Sequence, residues 1–127
     1  MKYLFDNNIS PKLAHMLKAI DCDVEALRDH FPSNVTDPDL LTALAGTDVV
    51  FVTADRRITT RPHELMALKS AGITALFLAP FWSKLGRWKQ AEWMILRWPK
   101  LDGFATGVVK GTFAEVSQGG RCRPFQP

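Results

Sequence analysis

The feature that most constrains the fold is the apolar run "VVFVT" at residues 49–53, in which apolar and polar residues do not alternate. Its β-branched residues favour a strand. A strand that is apolar on both sides is expected where helices cover both faces of a parallel sheet. The run "ITALFLA" at residues 73–79 has the same character. The sequence therefore predicts an α/β domain with a mostly parallel sheet.

Helical segments separate these apolar runs. Ser10 and Pro11 are typical of an N-cap and of a first helical residue, Gly72 is typical of a helix end, and Pro99 predicts a second end. Alternating strands and helices indicate a three-layer α/β/α arrangement. The predicted strands cover residues 2–5, 23–27, 49–53, 73–79 and 111–116, and the predicted helices cover residues 11–20, 36–44, 62–71 and 84–97.

Length and composition indicate one domain over residues 1–127, in which residues 117–127 form a loose C-terminal tail. At 46% hydrophobic, the chain can bury a core without disulfides, and Cys22 and Cys122 are expected to be free thiols. There is no signal-peptide pattern and no apolar run long enough to cross a bilayer, so we expect a cytoplasmic protein with no membrane partner. A net charge of +3 is compatible with a polyanionic partner.

Two acids follow predicted strands. Asp6 comes directly after the first strand and Asp55 just after the third. The carboxyl ends of parallel strands meet at one edge of a sheet, and α/β domains bind ligands there. Asp37, with Asp39 beside it, starts a helix that would begin at the same edge. Carboxylates that meet repel each other unless a cation joins them, and oxygen ligands without sulfur suit Mg²⁺ or Mn²⁺.

The neighbours of these acids indicate phosphoryl chemistry. Asn8 is placed to support Asp6 through a hydrogen bond, and Arg56, Arg57 and Arg61 are candidates for binding phosphate. A divalent ion held beside them could polarise a phosphoryl oxygen and activate water. Aspartate is also common at the ends of strands and helices because it caps them, so a purely structural role stays open for each acid.

The last predicted helix suggests a second, weaker surface. Its inward side is expected to comprise Leu85, Trp88, Ala91, Ile95 and Trp98. Trp93 falls off that side, at helical spacing from Lys89 and Arg97. Either the C-terminal segment covers Trp93, or Lys89, Trp93 and Arg97 form an exposed basic and aromatic surface for a protein partner or a nucleobase.

Four stretches together resemble a known family: "YLFDNNISPKLAHML", "ALRDHFP", "TDPDLLTAL" and the long block that opens "VVFVTADRR". They look like the PIN-like family of VapC-type toxins, the toxin half of bacterial toxin–antitoxin pairs, over about residues 2–99. The resemblance implies a PIN-like fold and an Mg²⁺- or Mn²⁺-dependent endoribonuclease. It implies RNA as substrate and a cognate antitoxin as partner, and a homodimer is compatible with it.

The resemblance also assigns residues. Its catalytic and metal-binding acids fall on Asp6, Asp37 and Asp55, with Asp39 as a neighbour, and its amide after the first strand falls on Asn8. The position directly after the first aspartate, often an acid in compact PIN-like proteins, holds Asn7 here. That difference leaves fewer ligands for a second metal.

Two other functions remain open from the residues alone. A receiver-like phosphoacceptor domain would also place acids after the first and third strands, with Asp55 taking the phosphoryl group. A non-catalytic PIN-like binding module would keep the fold and use the surface around Trp93. Scattered glycines exclude a phosphate-cradling loop of the GxGxxG or GKS type.

Overall fold

The structure is a computed structural model, and it describes residues 2–32 and 37–127, with the side chains of residues 37 and 38 outside the description. Its strands are β1 (Tyr3–Phe5), β2 (Val24–Ala26), β3 (Val50–Thr53), β4 (Thr74–Leu78), β5 (Phe113–Val116) and β6 (Cys122–Pro124). Its helices are α1 (Pro11–Ala19), α2 (Leu27–His30), α3 (Asp37–Leu44), α4 (Pro62–Ala71), α5 (Phe81–Lys84) and α6 (Arg87–Gly107), and a 3₁₀ helix covers Arg56–Thr60.

Within these described ranges the strands form one sheet in the order β2-β1-β3-β4-β5-β6. The pairs from β2 to β5 are parallel, and β6 pairs antiparallel with β5. Helices cover both faces, which confirms the predicted three-layer α/β/α PIN-like fold. None of the described helices combines the length and the apolar character that a membrane crossing requires.

The unbroken apolar strands are explained by two separate cores. Successive strand residues point to opposite faces, so Tyr3 and Phe5 pack against α1 and α6, whereas Leu4 packs against α3. The same alternation divides β3, in which all four residues are buried. Because both faces of the strand are buried, apolar and polar residues do not alternate along it.

The strand order creates a crevice at the carboxyl end of β1. The chain runs from β1 to β2 on one side and then crosses to β3 on the other, with Phe5 in register with both Ala26 and Val52. This reversal is the topological switch point where open α/β sheets bind ligands. The carboxyl ends of β2, β1 and β3 therefore lie side by side, with β1 in the middle.

Two helix boundaries follow the local sequence signals that predicted them. The Ser10 hydroxyl accepts a hydrogen bond from the Lys12 amide at 3.2 Å, so Ser10 caps α1 as expected. Helix α4 ends at Gly72, whose φ of 68° is the left-handed conformation that glycine adopts without strain. Thr36, expected as the N-cap of α3, lies outside the described residues.

Pro99 does not end the last helix, contrary to the prediction. Helix α6 continues to Gly107, because Pro99 lies on its exposed side and the carbonyl of exposed Ile95, which loses its helical partner, can be hydrated. Of the residues expected to face inward, Trp98 is buried and Leu85 and Ala91 are half-buried against the core, whereas Trp88 and Ile95 are exposed. The buried residues of α6 are Trp93, Met94, Trp98, Leu101 and Ala105.

The alternative in which Lys89, Trp93 and Arg97 form an exposed surface is therefore wrong for its central residue, Trp93. Trp93 is only 7% exposed, and its indole N–H donates to the Gln118 carbonyl at 2.6 Å. Lys89 is exposed beside Glu92, and Arg97 is half-buried. The C-terminal segment covers Trp93, which was the other expectation. The exposed tryptophan is instead Trp88, at 80%.

Residues 117–127 contain a strand where a loose tail was expected. Strand β6 pairs with β5, and the ring of Phe125 lies 5.5 Å from that of Phe77 and 6.4 Å from that of Phe113. The turn between β5 and β6 requires Gly120, whose φ is 83°. A short strand without an apolar run carries little sequence signal, so the pattern alone did not reveal it.

We predict that Gly120→Ala lowers the free energy of unfolding by about 1–2 kcal/mol, because a side chain at positive φ is strained. The added Cβ would also lie 2.7 Å from Cδ of Arg97. Gly119→Ala is the matched control, since its Cβ would meet only the Ser117 hydroxyl at 3.9 Å. Urea denaturation measures both. Equal stability of the two variants would contradict the turn described here.

Candidate active site

Asp6 occupies the crevice at the end of β1. Its backbone N–H donates to the Val52 carbonyl at 2.9 Å, which extends the pairing of β1 with β3 by one residue. One carboxylate oxygen accepts the Asn7 amide at 2.7 Å. The other accepts the Thr53 hydroxyl at 2.8 Å and the Asn8 side-chain amide at 3.2 Å. Three donors therefore fix the orientation of one carboxylate that is largely removed from solvent.

Thr53 and Asn8 link the two strand ends. The Asn8 amide nitrogen also donates to the Thr53 hydroxyl at 3.2 Å, and its oxygen accepts the Ala54 amide at 2.9 Å. The Thr53 hydroxyl accepts the Asp55 amide at 3.0 Å. Asn8 is thus placed as the sequence led us to expect, beside Asp6. Sequence reasoning missed Thr53, although one polar residue at the end of an apolar strand was a usable signal.

Asp55 caps the 3₁₀ helix that follows β3. Its Oδ1 accepts the Arg57 backbone amide at 3.0 Å and the Arg57 Nε at 2.9 Å, and its Oδ2 lies 3.4 Å from an Arg57 guanidinium nitrogen. Asp55 therefore pairs with a cation, and the Thr53 hydroxyl links its backbone amide to the Asp6 carboxylate. Asp55 thus has the capping role that the sequence left open for it. It also lies at the rim of the crevice.

The two carboxylates have opposite electrostatic surroundings. Burial raises the pKa of Asp6, and the nearby charge of Asp55 raises it further, against the lowering effect of the hydrogen bonds from Thr53 and Asn7. The hydrogen bond from Arg57 lowers the pKa of Asp55. Paired acids with divergent pKa values are characteristic of functional sites. Ionisation therefore costs more at Asp6 than at Asp55.

The third predicted acid is only partly described. Asp37 is the first residue of α3, whose start lies at the carboxyl edge of the sheet, but its side chain is outside the described part. Asp39 is exposed on the same turn. The structure therefore brings Asp6 and Asp55 together and leaves the role of Asp37 and Asp39 as a prediction.

Glu64 is an acid near the site that the sequence did not reveal. It lies on α4 and, with Asp6, lines a small cavity of about 10 Å³, close to the least that can hold one water molecule. Its carboxylate pairs with Arg61 at 3.1 Å. An acid in the first turn of a helix is common, so only the packing of α4 on the sheet reveals the proximity of Glu64 to Asp6.

The donors at this site are oxygens. The described side chains contain no group of three or more His, Cys, Asp or Glu residues arranged to hold a metal. Mg²⁺ needs fewer protein ligands than that, since it keeps several waters and takes one or two carboxylates. Asp6 and Asp55 therefore fit one such ion, and Asp37 is the candidate for a third ligand.

The three arginines expected to bind phosphate already contact acids. Arg57 pairs with Asp55, Arg61 with Glu64, and Arg56 with Glu115. Arg57 is the most accessible of them, with 74% of its side chain exposed. Each of these arginines would need to exchange its acidic partner for a phosphate, so their role in binding RNA stays a prediction.

A family model described as a PIN-like domain matches residues 1–80. The chain belongs to the PIN-like domain family. This is a nuclease-type family whose members generally use divalent metals. Comparisons with curated proteins and with solved structures gave no significant match. The matched range of this PIN-like chain includes Asp6, Asp37 and Asp55 and ends before α5.

We predict opposite stability effects for the two acids in EDTA at pH 7. The folded pKa of Asp6 lies above its unfolded value, so the stability associated with Asp6 is complete below the unfolded pKa and is lost as the pH rises through the folded pKa. Asp6→Asn removes that cost and keeps an acceptor for Thr53. It should raise the melting temperature by about 3 °C, as expected for relief of ~1 kcal/mol of repulsion.

Asp55→Asn is the matched comparison. The folded pKa of Asp55 is depressed, so its contribution is present above the unfolded pKa and is lost as the pH falls through the folded pKa. This variant loses the Arg57 pair and should melt lower than the parent at pH 7. The differences between both variants and the parent should shrink on acidification toward pH 3. Equal lowering by both substitutions at pH 7 would show that Asp6 is simply a structural acceptor.

Proposed function

We propose that the protein is a divalent-metal-dependent endoribonuclease that acts as the toxin of a type II toxin–antitoxin pair. The nuclease part of this proposal rests on one observation. The crevice at the β1/β3 switch point of a PIN-like fold contains Asp6 and Asp55, whose pKa values shift in opposite directions. The toxin part is supported by the sequence resemblance to VapC-type toxins.

The residues of the crevice have distinct roles in this proposal. Asp6, Asp55 and Asp37 would hold Mg²⁺ or Mn²⁺, which would polarise the scissile phosphate and activate water when bound. Asn8 and Thr53 keep Asp6 in one orientation through their hydrogen bonds. Such outer contacts lower the cost of arranging ligands around an ion.

Arg57 connects metal binding to substrate binding. Its guanidinium contacts both oxygens of Asp55, so an ion that uses Asp55 must compete with Arg57 for those oxygens. Arg57 is largely exposed and, once displaced, can reach a phosphate in the open crevice. With an ion bound at Asp55, Arg57 would be free to hold a phosphate of the substrate.

A candidate surface for binding a protein partner lies on the side of the molecule opposite to α3 and α4. Trp88, Ile95 and Leu96 of α6 are exposed, and with Met16 of α1 they line an apolar groove of about 420 Å³. Exposed apolar patches of this kind mark protein interaction sites. The proposed occupants are the cognate antitoxin or a second copy of the chain.

The family match weighs against the two alternatives. A receiver-like phosphoacceptor shares the parallel order β2-β1-β3-β4-β5, but it uses a hydroxyl at the end of the fourth strand, where this chain has Ala79 and Pro80. A non-catalytic binding module has no need for a desolvated, oriented carboxylate such as Asp6. Calorimetry with Mn²⁺ tests that alternative directly, because a binding module would show no heat.

We predict that the purified protein cleaves single-stranded RNA in the presence of Mn²⁺, and that Asp6→Asn or Asp55→Asn lowers the rate at least ~100-fold through loss of metal and charge stabilisation. Asp48→Asn is the control, since Asp48 is exposed before β3, at the opposite end of the sheet. Expression of the parent should arrest growth of a bacterial host, and Asp55→Asn should relieve it. Cleavage that persists in both crevice variants would refute the proposal.

We predict that Arg57→Gln tightens Mn²⁺ binding several-fold, because it removes the competitor for Asp55. The same variant should weaken RNA binding and reduce the slope of log affinity against log salt by about 0.7, the value for one lost phosphate contact on a single strand. Lys110→Gln is the charge-matched control, because Lys110 pairs with Asp48 away from the crevice. An unchanged Mn²⁺ affinity would contradict competition at Asp55.

A further inference from the structure

A second cavity opens beside Asp6, on the side of the crevice away from Asp55. Its volume is about 340 Å³, within the usual range for small-ligand sites. It lies between the turn after β1 and the short helix α2. The described residues that line it are Asn7, Leu27, Arg28, Phe31 and Pro32.

The lining combines a ring, a cation and an amide. Phe31 is half-buried, and Leu27 is buried beneath it in the same apolar cluster. Arg28 is exposed and has no ion-pair partner among the described side chains, in contrast to Arg56, Arg57 and Arg61. The acids nearest to it in sequence are paired elsewhere, Asp29 with His15 and Glu25 with Lys18 and His30.

Asn7 brings this cavity to the edge of the proposed active site. Its backbone N–H binds the Asp6 carboxylate, while its exposed side-chain amide has no hydrogen-bond partner in the described part of the chain. The strand order places β1 between β2 and β3, so Asp6 lies between this cavity and the Asp55–Arg57 pair. A ligand that fills the cavity and continues along the rim must therefore pass over Asp6.

We propose that this cavity binds one unpaired base of single-stranded RNA, stacked on Phe31, with Arg28 on the adjoining phosphate and the Asn7 amide at the base edge. Proteins bind single-stranded RNA by stacking splayed bases on aromatic rings and by hydrogen bonding to their edges. This inference rests on the proposed nuclease function, because it assigns a substrate subsite to the same rim.

The subsite has a consequence for substrate choice. A base inside the cavity is unstacked from its neighbours, which costs little in a single strand and several kcal/mol in a duplex. The phosphate that follows this base lies over Asp6. Cleavage is therefore directed to unpaired RNA, next to the nucleotide whose base occupies the cavity.

The test measures binding without cleavage. Fluorescence anisotropy in EDTA compares a labelled oligouridylate of about ten nucleotides with the abasic ribose-phosphate strand of equal length. The parent should prefer the base-containing strand. Phe31→Leu should weaken binding of oligouridylate about 5- to 50-fold, as expected for one lost base–aromatic stack, and leave the abasic strand unaffected. Phe31→Trp should retain the preference, because it keeps an aromatic face.

Arg28→Gln supplies an independent measurement that does not disturb the core. It should weaken both strands and reduce the salt slope by about 0.7. Arg87→Gln, at an exposed arginine at the start of α6, is the matched control and should leave both the affinity for the two strands and the salt slope unchanged. Melting curves establish that each variant is folded, and if Phe31→Leu is not, Phe31→Trp and Arg28→Gln decide the outcome.

The outcomes separate this subsite from the nuclease proposal. Equal binding of the two strands by the parent, or unchanged oligouridylate binding by folded Phe31→Leu, overturns the subsite even where the parent cleaves RNA with Mn²⁺. A base preference that depends on Phe31 supports the subsite, and if the same protein cleaves nothing with Mn²⁺, only the nuclease proposal fails.

Discussion

The hydroxyl of Thr53 organises the crevice. It donates to the Asp6 carboxylate and accepts from the Asn8 side chain and the Asp55 backbone, although Thr53 itself is fully buried. A buried carboxylate is tolerated only where its oxygens are hydrogen-bonded. Thr53 meets that requirement for Asp6 and at the same time fixes the start of the segment that carries Asp55. The positions of both acids therefore depend on one side chain that has no charge of its own.

This arrangement leaves an electrostatic conflict that the metal-free protein only partly resolves. Arg57 compensates the charge of Asp55, while Asp6 has neutral donors only and remains penalised by burial. Sequences that specify one fold usually avoid such local conflicts, and those that persist tend to mark functional sites. Under the proposed function, a divalent cation held by Asp6 and Asp55 would neutralise both carboxylates, whereas a purely capping role for the two acids would leave the conflict at Asp6 in place. Such a cation would also compete with Arg57 for Asp55.

Much of the fold was predictable because the burial of strands and helices produces local patterns of apolar residues in the sequence. The strands β3 and β4 and the caps of α1 and α4 follow from local rules, and the rim position of Asp6 and Asp55 follows from strand order alone. Contacts between residues that are far apart in sequence produce no such local pattern. The hydrogen bonds from Thr53 to Asp6 and from Ala54 to Asn8 join residues that are 47 and 46 positions apart in sequence. The proximity of Glu64 to Asp6 depends on how α4 packs. For the same reason the sequence left two environments open for Trp93, because its partner Gln118 lies in a hairpin that the pattern did not reveal.

Residues that follow the matched range 1–80 contact the 3₁₀ helix beside the site. Arg56 pairs with Glu115 of β5, and its guanidinium lies 4.7 Å from the centre of the Phe125 ring. Its neighbours in sequence are Asp55 and Arg57, the ion pair at the rim. Because Phe125 also packs against Phe77 of β4, the hairpin of β5 and β6 anchors the 3₁₀ helix to the sheet. The matched residues 1–80 thus supply the acids. The C-terminal hairpin holds the segment that orients one of them, so the site depends on residues at both ends of the chain.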